Sequence, residues 1–331
     1  MRSYELNSQA WTVFSALQKV APKYSIPAER IKGARCLGFK GQELPDEIAL
    51  LVLKTQLSNL VQLSLSALGN FKQLRLKVLP SVPPAILTLG SQLPGWSLHH
   101  RHGRGRNKTS FDAIATGPAR CMSQEPKKLF QQLRYHEKDQ KKAVIVLETD
   151  SDTIPEDIVV QLAKKCNVIP KNLAIIHTAS NTNVGAMLGG ARAVEMAIYR
   201  AVQIGFPPYC FVKASSTALV VPTEQAKTQV EATAMIIDAI AYGSEVELEV
   251  SGLSDELIES KISSLVSQNS PNYGSLMVTN LKSADDAKEV DVDLMVPAVL
   301  SVHNINTGKD HYKGKYSFEL LEDYYSHRIQ Q

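Results

Sequence analysis

The segment "KKAVIVLETD", Lys141–Asp150, is followed by "TIPEDIVVQLAKKC", Thr153–Cys166, and then by "LAIIH", Leu173–His177. The order of these three pieces decides the fold. The first is a run of apolar, mostly β-branched residues and predicts a buried strand. In the second, Thr153 and Glu156 stand at capping-box spacing, and Lys164 and Lys165 sit at the far end, where a helix favours positive charge. The third predicts a second buried strand. "LGGARAVEMAIYRAVQIGF", Leu188–Phe206, then predicts a second helix. Strand, helix, strand, helix is the order of an α/β fold.

Working outward, residues 8–20 predict an amphipathic helix and Ile31–Gly38 a short strand. "LPDEIALLVLKTQLSNLVQ", Leu44–Gln62, predicts a helix with Asp46 and Glu47 in its first turn, the end favoured by negative charge. "LVQLSLSAL" (60–68) and "QLRLKVL" (73–79) alternate apolar with polar residues and predict half-buried strands. "PAILTLG" (84–90) continues the β character, and "LHHRHGRGRNK" (98–108) is expected to be a flexible polar loop. Beyond the central segment, a helix is expected at 224–242, a strand at "SEVELEV" (244–250), a helix near 254–267, a strand at "LMVPAVLSVH" (294–303) and an aromatic tail "YSFELLEDYYSH" (316–327). There is no internal repeat, low-complexity segment or linker. The expected architecture is mixed α/β, a single unit over residues 1–331 made of two intimately joined lobes.

Composition narrows the function classes. With 44% hydrophobic and 21% charged residues the chain is globular rather than disordered. A net charge of +3 gives no general attraction to nucleic acid or anionic membrane. No apolar run approaches the roughly 20 residues that span a bilayer, and the N-terminal residues lack an apolar core of a signal peptide. Cys36, Cys121, Cys166 and Cys210 lie far apart and form no CxxC or zinc spacing. A soluble, cytoplasmic protein with reduced thiols is expected.

Within the 188–206 helix, Arg192, Glu195, Tyr199 and Gln203 fall in one narrow sector at about 100° per residue. Ala193, Val194, Ala197, Ile198 and Ala201 cover the opposite side. Two readings stay open: a solvated i,i+3 ion pair, or two charges held against a ligand. Gly185, Gly189 and Gly190 cost a helix about 1 kcal/mol each, and such glycines mark close approach of another backbone or of a ligand. His99, His100 and His102 crowd together with Arg101, Arg104, Arg106 and Lys108, but no acidic or cysteine partner lies nearby in sequence to complete a metal set. A phosphate or acidic-tail contact is the functional alternative there. "LGSQLPGW" (89–96) and "ATGPAR" (115–120) read first as tight turns, and their glycines would also let a backbone approach a planar ligand. No phosphate-binding loop, GxSxG elbow or HExxH helix is present, and nucleic-acid modules are absent.

These segments carry a resemblance. "LGSQLPGW", "ATGPAR", "VLETD" with Glu148 and Asp150, Pro155, Gly185, "RAVE" at Arg192–Glu195 and "DAIAYG" at Asp238–Gly243 occur in the order found in the methenyltetrahydromethanopterin cyclohydrolase family, over roughly residues 5–320. The resemblance implies two α/β lobes with a pterin in the cleft between them, a homo-oligomer that is typically a trimer, and no metal or redox cofactor. It also implies the reaction, opening of an N5,N10-methenyl bridge by water to the N5-formyl compound. Glu195 and Arg192 would be the catalytic pair. Ser91, Gln92, Trp96, Gly117, Pro118, Arg120, Gly185, Asp238 and Tyr242 would bind the substrate.

The chain departs from the family pattern at several points. Ser58 and Asn59 stand where the family usually carries Gly-Gly, and Leu188 where it carries Gln. Met235, Ile236 and Ile237 replace Arg-Thr-Asn, Gly243-Ser244 replaces Gly-Gly, and "VKASSTALVVP" replaces a glycine- and proline-bearing loop. The alternative function is therefore a paralogue that binds a related pterin or precursor without this hydrolysis.

Overall fold

The computed structural model describes residues 4–40, 44–67, 74–102, 109–280 and 293–329. In chain order the elements are α1 (Leu6–Val20), β1 (Ala28–Ile31), β2 (Ala34–Phe39), α2 (Asp46–Gln56), β3 (Val61–Ala67), β4 (Leu74–Pro80), α3 (Pro84–Ser91), β5 (Trp96–His102) and β6 (Thr109–Thr116). Then come α4 (Arg120–Ser123), α5 (Lys127–Leu133), β7 (Ala143–Glu148), α6 (Glu156–Lys165), β8 (Leu173–Thr178), α7 (Asn183–Gly190) and α8 (Ala193–Gln203). The last third holds β9 (Phe211–Val220), α9 (Gln229–Gly243), β10 (Glu245–Val250), α10 (Asp255–Lys261), α11 (Met277–Asn280), β11 (Val299–Asn304), β12 (Lys309–Gly314) and α12 (Phe318–Ile329). The chain divides into two compact units, Met1–Val61 with Ile86–Leu188, and Gln62–Ala85 with Gly189–Gln331.

The first unit carries a six-stranded sheet in the order β1-β2-β8-β7-β6-β5. Its centre, β2, β8 and β7, is parallel, and the outer pairings are antiparallel. The β7–α6–β8 crossover is the expected one. Ala143, Ile145 and Leu147 meet Ile158, Val159 and Leu162 of α6 in one buried cluster. Val144 and Val146 are equally buried, so both faces of β7 are covered. α1 and α2 pack on each other and on β7.

The second unit carries a six-stranded sheet in the order β12-β11-β10-β9-β4-β3. β10 and β11 are parallel; β9 is antiparallel to both β10 and β4. Along β10, Val246, Leu248 and Val250 are buried, while Glu247 is exposed, as the alternation in "SEVELEV" requires. α8 and α9 pack against β9. The polar face forms an open groove of about 380 Å³ beside Lys77, Lys213, Ser215, Glu247, Glu249 and His303. Several of its polar groups are paired: Lys213 lies 3.0 Å from Glu249, Ser215 Oγ donates to Glu247 at 2.6 Å, and His303 lies 2.7 Å from Asp310.

Several expectations are corrected. "PAILTLG" is helical, as α3. Nearly all of it is buried, and an unbroken apolar run does not distinguish strand from helix; Pro84 at the first helical position is the signal that does. Leu98–His102 is not a loop but the second half of β5, with Trp96 and Leu98 buried and His99 facing Asp112 across the ladder at 2.6 Å. Gly103–Lys108 lie outside the described residues. The helix begun at Asp46 ends at Gln56 because Ser58 and Asn59 both turn left-handed, with φ 60° and 54°. The 188–206 helix breaks at Ala191–Arg192 into α7 and α8, next to the two weak helix formers Gly189 and Gly190. α9 begins at Gln229, where Thr228 accepts from Glu231 N at 3.1 Å. α10 ends at Lys261 and gives way to short 3₁₀ turns. β11 begins two residues beyond Pro297, which has no N–H to give a ladder. The aromatic tail is helical, as α12.

Candidate active site

In the second unit, Arg192 is the N-cap residue of α8 and Glu195 lies in its first turn. Arg192 Nε donates to Glu195 Oε2 at 2.9 Å. The two side chains are only 12% and 1% exposed, so this is a buried pair and not a solvated one. The sector that holds them runs from buried Glu195 through half-buried Tyr199 to exposed Gln203. The N-terminal end of α8 places partial positive charge beside the carboxylate, in addition to the guanidinium. A carboxylate held this way keeps a fixed orientation and a lone pair directed by its partners, which suits general-base work.

The same unit holds Asp238 and Tyr242 on α9. Asp238 is 1% exposed, and its two oxygens accept from Met277 N (2.8 Å) and Val278 N (2.9 Å). Tyr242 Oη donates to Ser275 O at 2.9 Å and accepts from Gly274 N at 3.2 Å. Both side chains therefore hold the 274–278 segment. Burial pushes the Asp238 carboxyl up to about 7 against the pull of the two N–H donors. Because the folded value lies above the unfolded one of about 3.9, stability is lost as pH rises from about 4 to about 7, at up to roughly 1.4 kcal/mol per pH unit. Chemical denaturation at several pH values is expected to show Asp238→Asn gaining on the wild type across that window. A constant difference between the two would contradict this.

The first unit holds the remaining positions. Ser91 closes α3, and its carbonyl accepts from Gly117 N at 2.5 Å. Gly117 has φ +90°, and a Cβ there would lie 3.2 Å from both Val144 O and Val146 N, so the turn rides directly on β7. Pro118 O accepts from Asn7 Nδ2 at 2.8 Å, and Ala119 N donates to Val144 O at 2.9 Å. Arg120 is fully buried; Nη1 donates to Leu89 O and Nε to Glu125 O, both at 3.1 Å, and the guanidinium lies over Phe130. Gln92 is 1% exposed, and Trp96 belongs to the sheet's core cluster.

The glycines before the pair serve close packing. A Cβ on Gly185 would lie 2.3 Å from Ala179 O and 2.7 Å from Ser180 Cα, so backbone occupies that face. Gly185→Ala is expected to destabilise the protein by about 3 kcal/mol, read as a shift in denaturation midpoint; an unchanged midpoint would contradict that packing. Gly189 faces Ile236, whose Cδ1 would be 2.5 Å from a Cβ, and Gly190 faces Leu219 O at 3.3 Å. Among the described residues, no three His, Cys, Asp or Glu side chains gather into a metal-holding group, and no helix is long and apolar enough to cross a membrane.

The family model described as Cyclohydrolase (MCH) matches residues 6–325. The chain belongs to this cyclohydrolase family. It is similar to the methenyltetrahydromethanopterin cyclohydrolase of Methanocorpusculum labreanum, 31% identical over 234 residues that cover 70% of this chain and 69% of the relative. The protein of the same name from Methylosinus trichosporium is 32% identical over 241 residues, 72% of this chain and 87% of the relative. That from Methanosarcina barkeri is 28% identical over 242 residues, 72% of this chain and 71% of the relative.

Family membership gives the departures a physical meaning. At Ser58 and Asn59 the backbone is left-handed, so glycine's advantage there is conformational. Met235, Ile236 and Ile237 are all buried, and Ile236 fills the space left by Gly189. This stretch of α9 is thus core, with Ile236 packed at Gly189. One buried polar residue is missed by motif reasoning: Gln56, 1% exposed, donates from Nε2 to Thr116 Oγ1 at 3.0 Å. A signal for it exists, since Gln56 continues the buried stripe of Ala49, Val52 and Leu53 on α2.

Proposed function

We propose that the protein is a methenyltetrahydromethanopterin cyclohydrolase, hydrolysing the N5,N10-methenyl bridge to the N5-formyl compound in one-carbon transfer. The observation that carries this reading is the buried Arg192–Glu195 pair at the start of α8 in a member of the cyclohydrolase family. The methenyl group is a cationic amidinium, so its bridge carbon is already electrophilic. Hydrolysis then needs a base for the attacking water and a proton for the departing nitrogen. Glu195 takes the water proton, and the tetrahedral adduct forms at the bridge carbon. The same carboxyl returns the proton to N10 as the C–N10 bond breaks; the adduct's hydroxyl becomes the formyl carbonyl on N5 and gives its own proton to solvent, so one proton is released overall. The carboxylate's negative charge also attracts the cationic substrate. Arg192 orients the carboxylate through the Nε bond and offers its remaining N–H groups to the oxygen as charge develops there.

This chemistry uses no metal or redox cofactor. The family pattern supports Ser91, Gln92, Gly117 and Pro118 as residues that contact the pterin. The family pattern supports a cytoplasmic homo-oligomer, a trimer. The test is to follow decay of the methenyl absorbance with purified protein, alongside calorimetric titration of the same compound. Decay far above the buffer rate is expected. Tight binding without decay would favour a non-hydrolytic pterin-binding paralogue, and neither binding nor decay would defeat both readings.

A further inference from the structure

The turn at Thr116–Arg120 is tied down at four successive residues, and the first tie comes from α2. Gln56 Nε2 donates to Thr116 Oγ1 at 3.0 Å, and Thr116 Oγ1 lies 3.4 Å from Val146 O, to which it donates. With the hydroxyl proton spent on Val146, the amide must present its nitrogen to Thr116. Gln56 Oε1 is then left buried with no partner among the described residues, and the Ser58 and Ser91 hydroxyls share that condition. The following ties are Gly117 N to Ser91 O, Pro118 O to Asn7 Nδ2 and Ala119 N to Val144 O. Thr116 is also the last paired residue of β6, whose ladder with β7 spans only three registered pairs. Directly beyond it the chain enters the left-handed Gly117.

An amide in the core with one end unsatisfied weakens the fold relative to an apolar side chain of the same shape. What the amide supplies in return is a fixed Thr116 at the point where the strand becomes the turn. We propose that Gln56 is a positioning residue: acting through Thr116, it sets the Thr116–Arg120 turn and thereby the affinity for the pterin. This rests on the cyclohydrolase reading, in which Gly117 and Pro118 lie against the substrate. The buried atoms of Gln56 and Thr116 do not themselves touch it.

The test compares Gln56→Met and Thr116→Val, which keep volume and remove the bond, with their double variant and with Thr116→Ser, which keeps the hydroxyl. Each single variant is expected to raise KM for the methenyl compound about tenfold, the scale of one neutral hydrogen bond, with kcat within about twofold of wild type. The double variant should be no worse than either single one, and Thr116→Ser should restore the wild-type KM. An unchanged KM in Gln56→Met, or effects that multiply in the double variant, would overturn the proposal. Amide hydrogen exchange at Gly117 supplies a readout independent of turnover. It should accelerate about tenfold in Gln56→Met while β7 stays protected, and unaltered exchange would overturn the proposal even if the wild type proved inactive. Should Gln56→Met fail to fold, the Thr116→Val and Thr116→Ser comparison decides the same question.

Discussion

Replacing Glu195 by glutamine is expected to slow turnover of the methenyl compound by roughly 10²–10⁴-fold, the range a positioned general base contributes. The substitution keeps the shape of a side chain that is 1% exposed and still offers Arg192 an acceptor oxygen. It removes the negative charge and the basicity, so the water is no longer deprotonated and the cationic substrate is no longer attracted. Thermal unfolding and calorimetric titration in parallel should show a folded protein that still binds the pterin, more weakly. A Glu195→Gln enzyme with wild-type kcat would take the water-activating role away from α8.

The second large effect concerns the other half of the pair. Arg192→Met keeps the length of the side chain but withdraws the positive charge bonded to a buried carboxylate. Breaking a buried pair from one side typically costs about 3–5 kcal/mol, because the remaining charge stays in a medium of low polarity. Denaturant titration is expected to show a loss of that size for Arg192→Met and recovery of most of it in the double variant with Glu195→Gln, where no charge is left to compensate. Equal losses in the single and double variants would mean that the guanidinium stabilises α8 by packing, independently of Glu195. Activity should fall in both.

The parts of the fold legible in the sequence are those whose signals are local. β7, α6 and β8 announce themselves through a β-branched run and terminal lysines within Lys141–His177, although the Thr153–Glu156 spacing forms no capping box, because α6 starts at Glu156 with Pro155 as its N-cap and no side-chain cap bond. α3 does not, since Ala85, Leu87, Thr88 and Leu89 are buried with Ile86 half-buried among them and leave no clear period to read. The second half of β5 looks like a loop because its histidines and arginine mask the alternation, and its partner strand is known only from the folded ladder. At the candidate site, spacing alone gives Arg192 and Glu195 as an ion pair. Their burial varies along α8 rather than around it, which a helical projection does not resolve. Asp238 is a substrate-binding position by resemblance, and the structure adds what the sequence does not show, that its two oxygens accept N–H groups 39 and 40 residues away. Gly185 reads as close approach of a backbone or of a ligand, and its neighbour is the backbone of Ala179 and Ser180. For Asp238 the deciding partners are distant in sequence, and for Gly185 they lie five and six residues before it.

The most direct measurement is a crystal structure of Glu195→Gln with the methenyl compound bound, the substitution serving to hold the substrate unreacted. The account predicts the bridge carbon one water away from the side chain at position 195, with that water within about 2.6–3.2 Å of it and Arg192 still bonded to the same side chain. A substrate bound with its bridge carbon far from α8, and position 195 sealed from it by protein, would contradict the account.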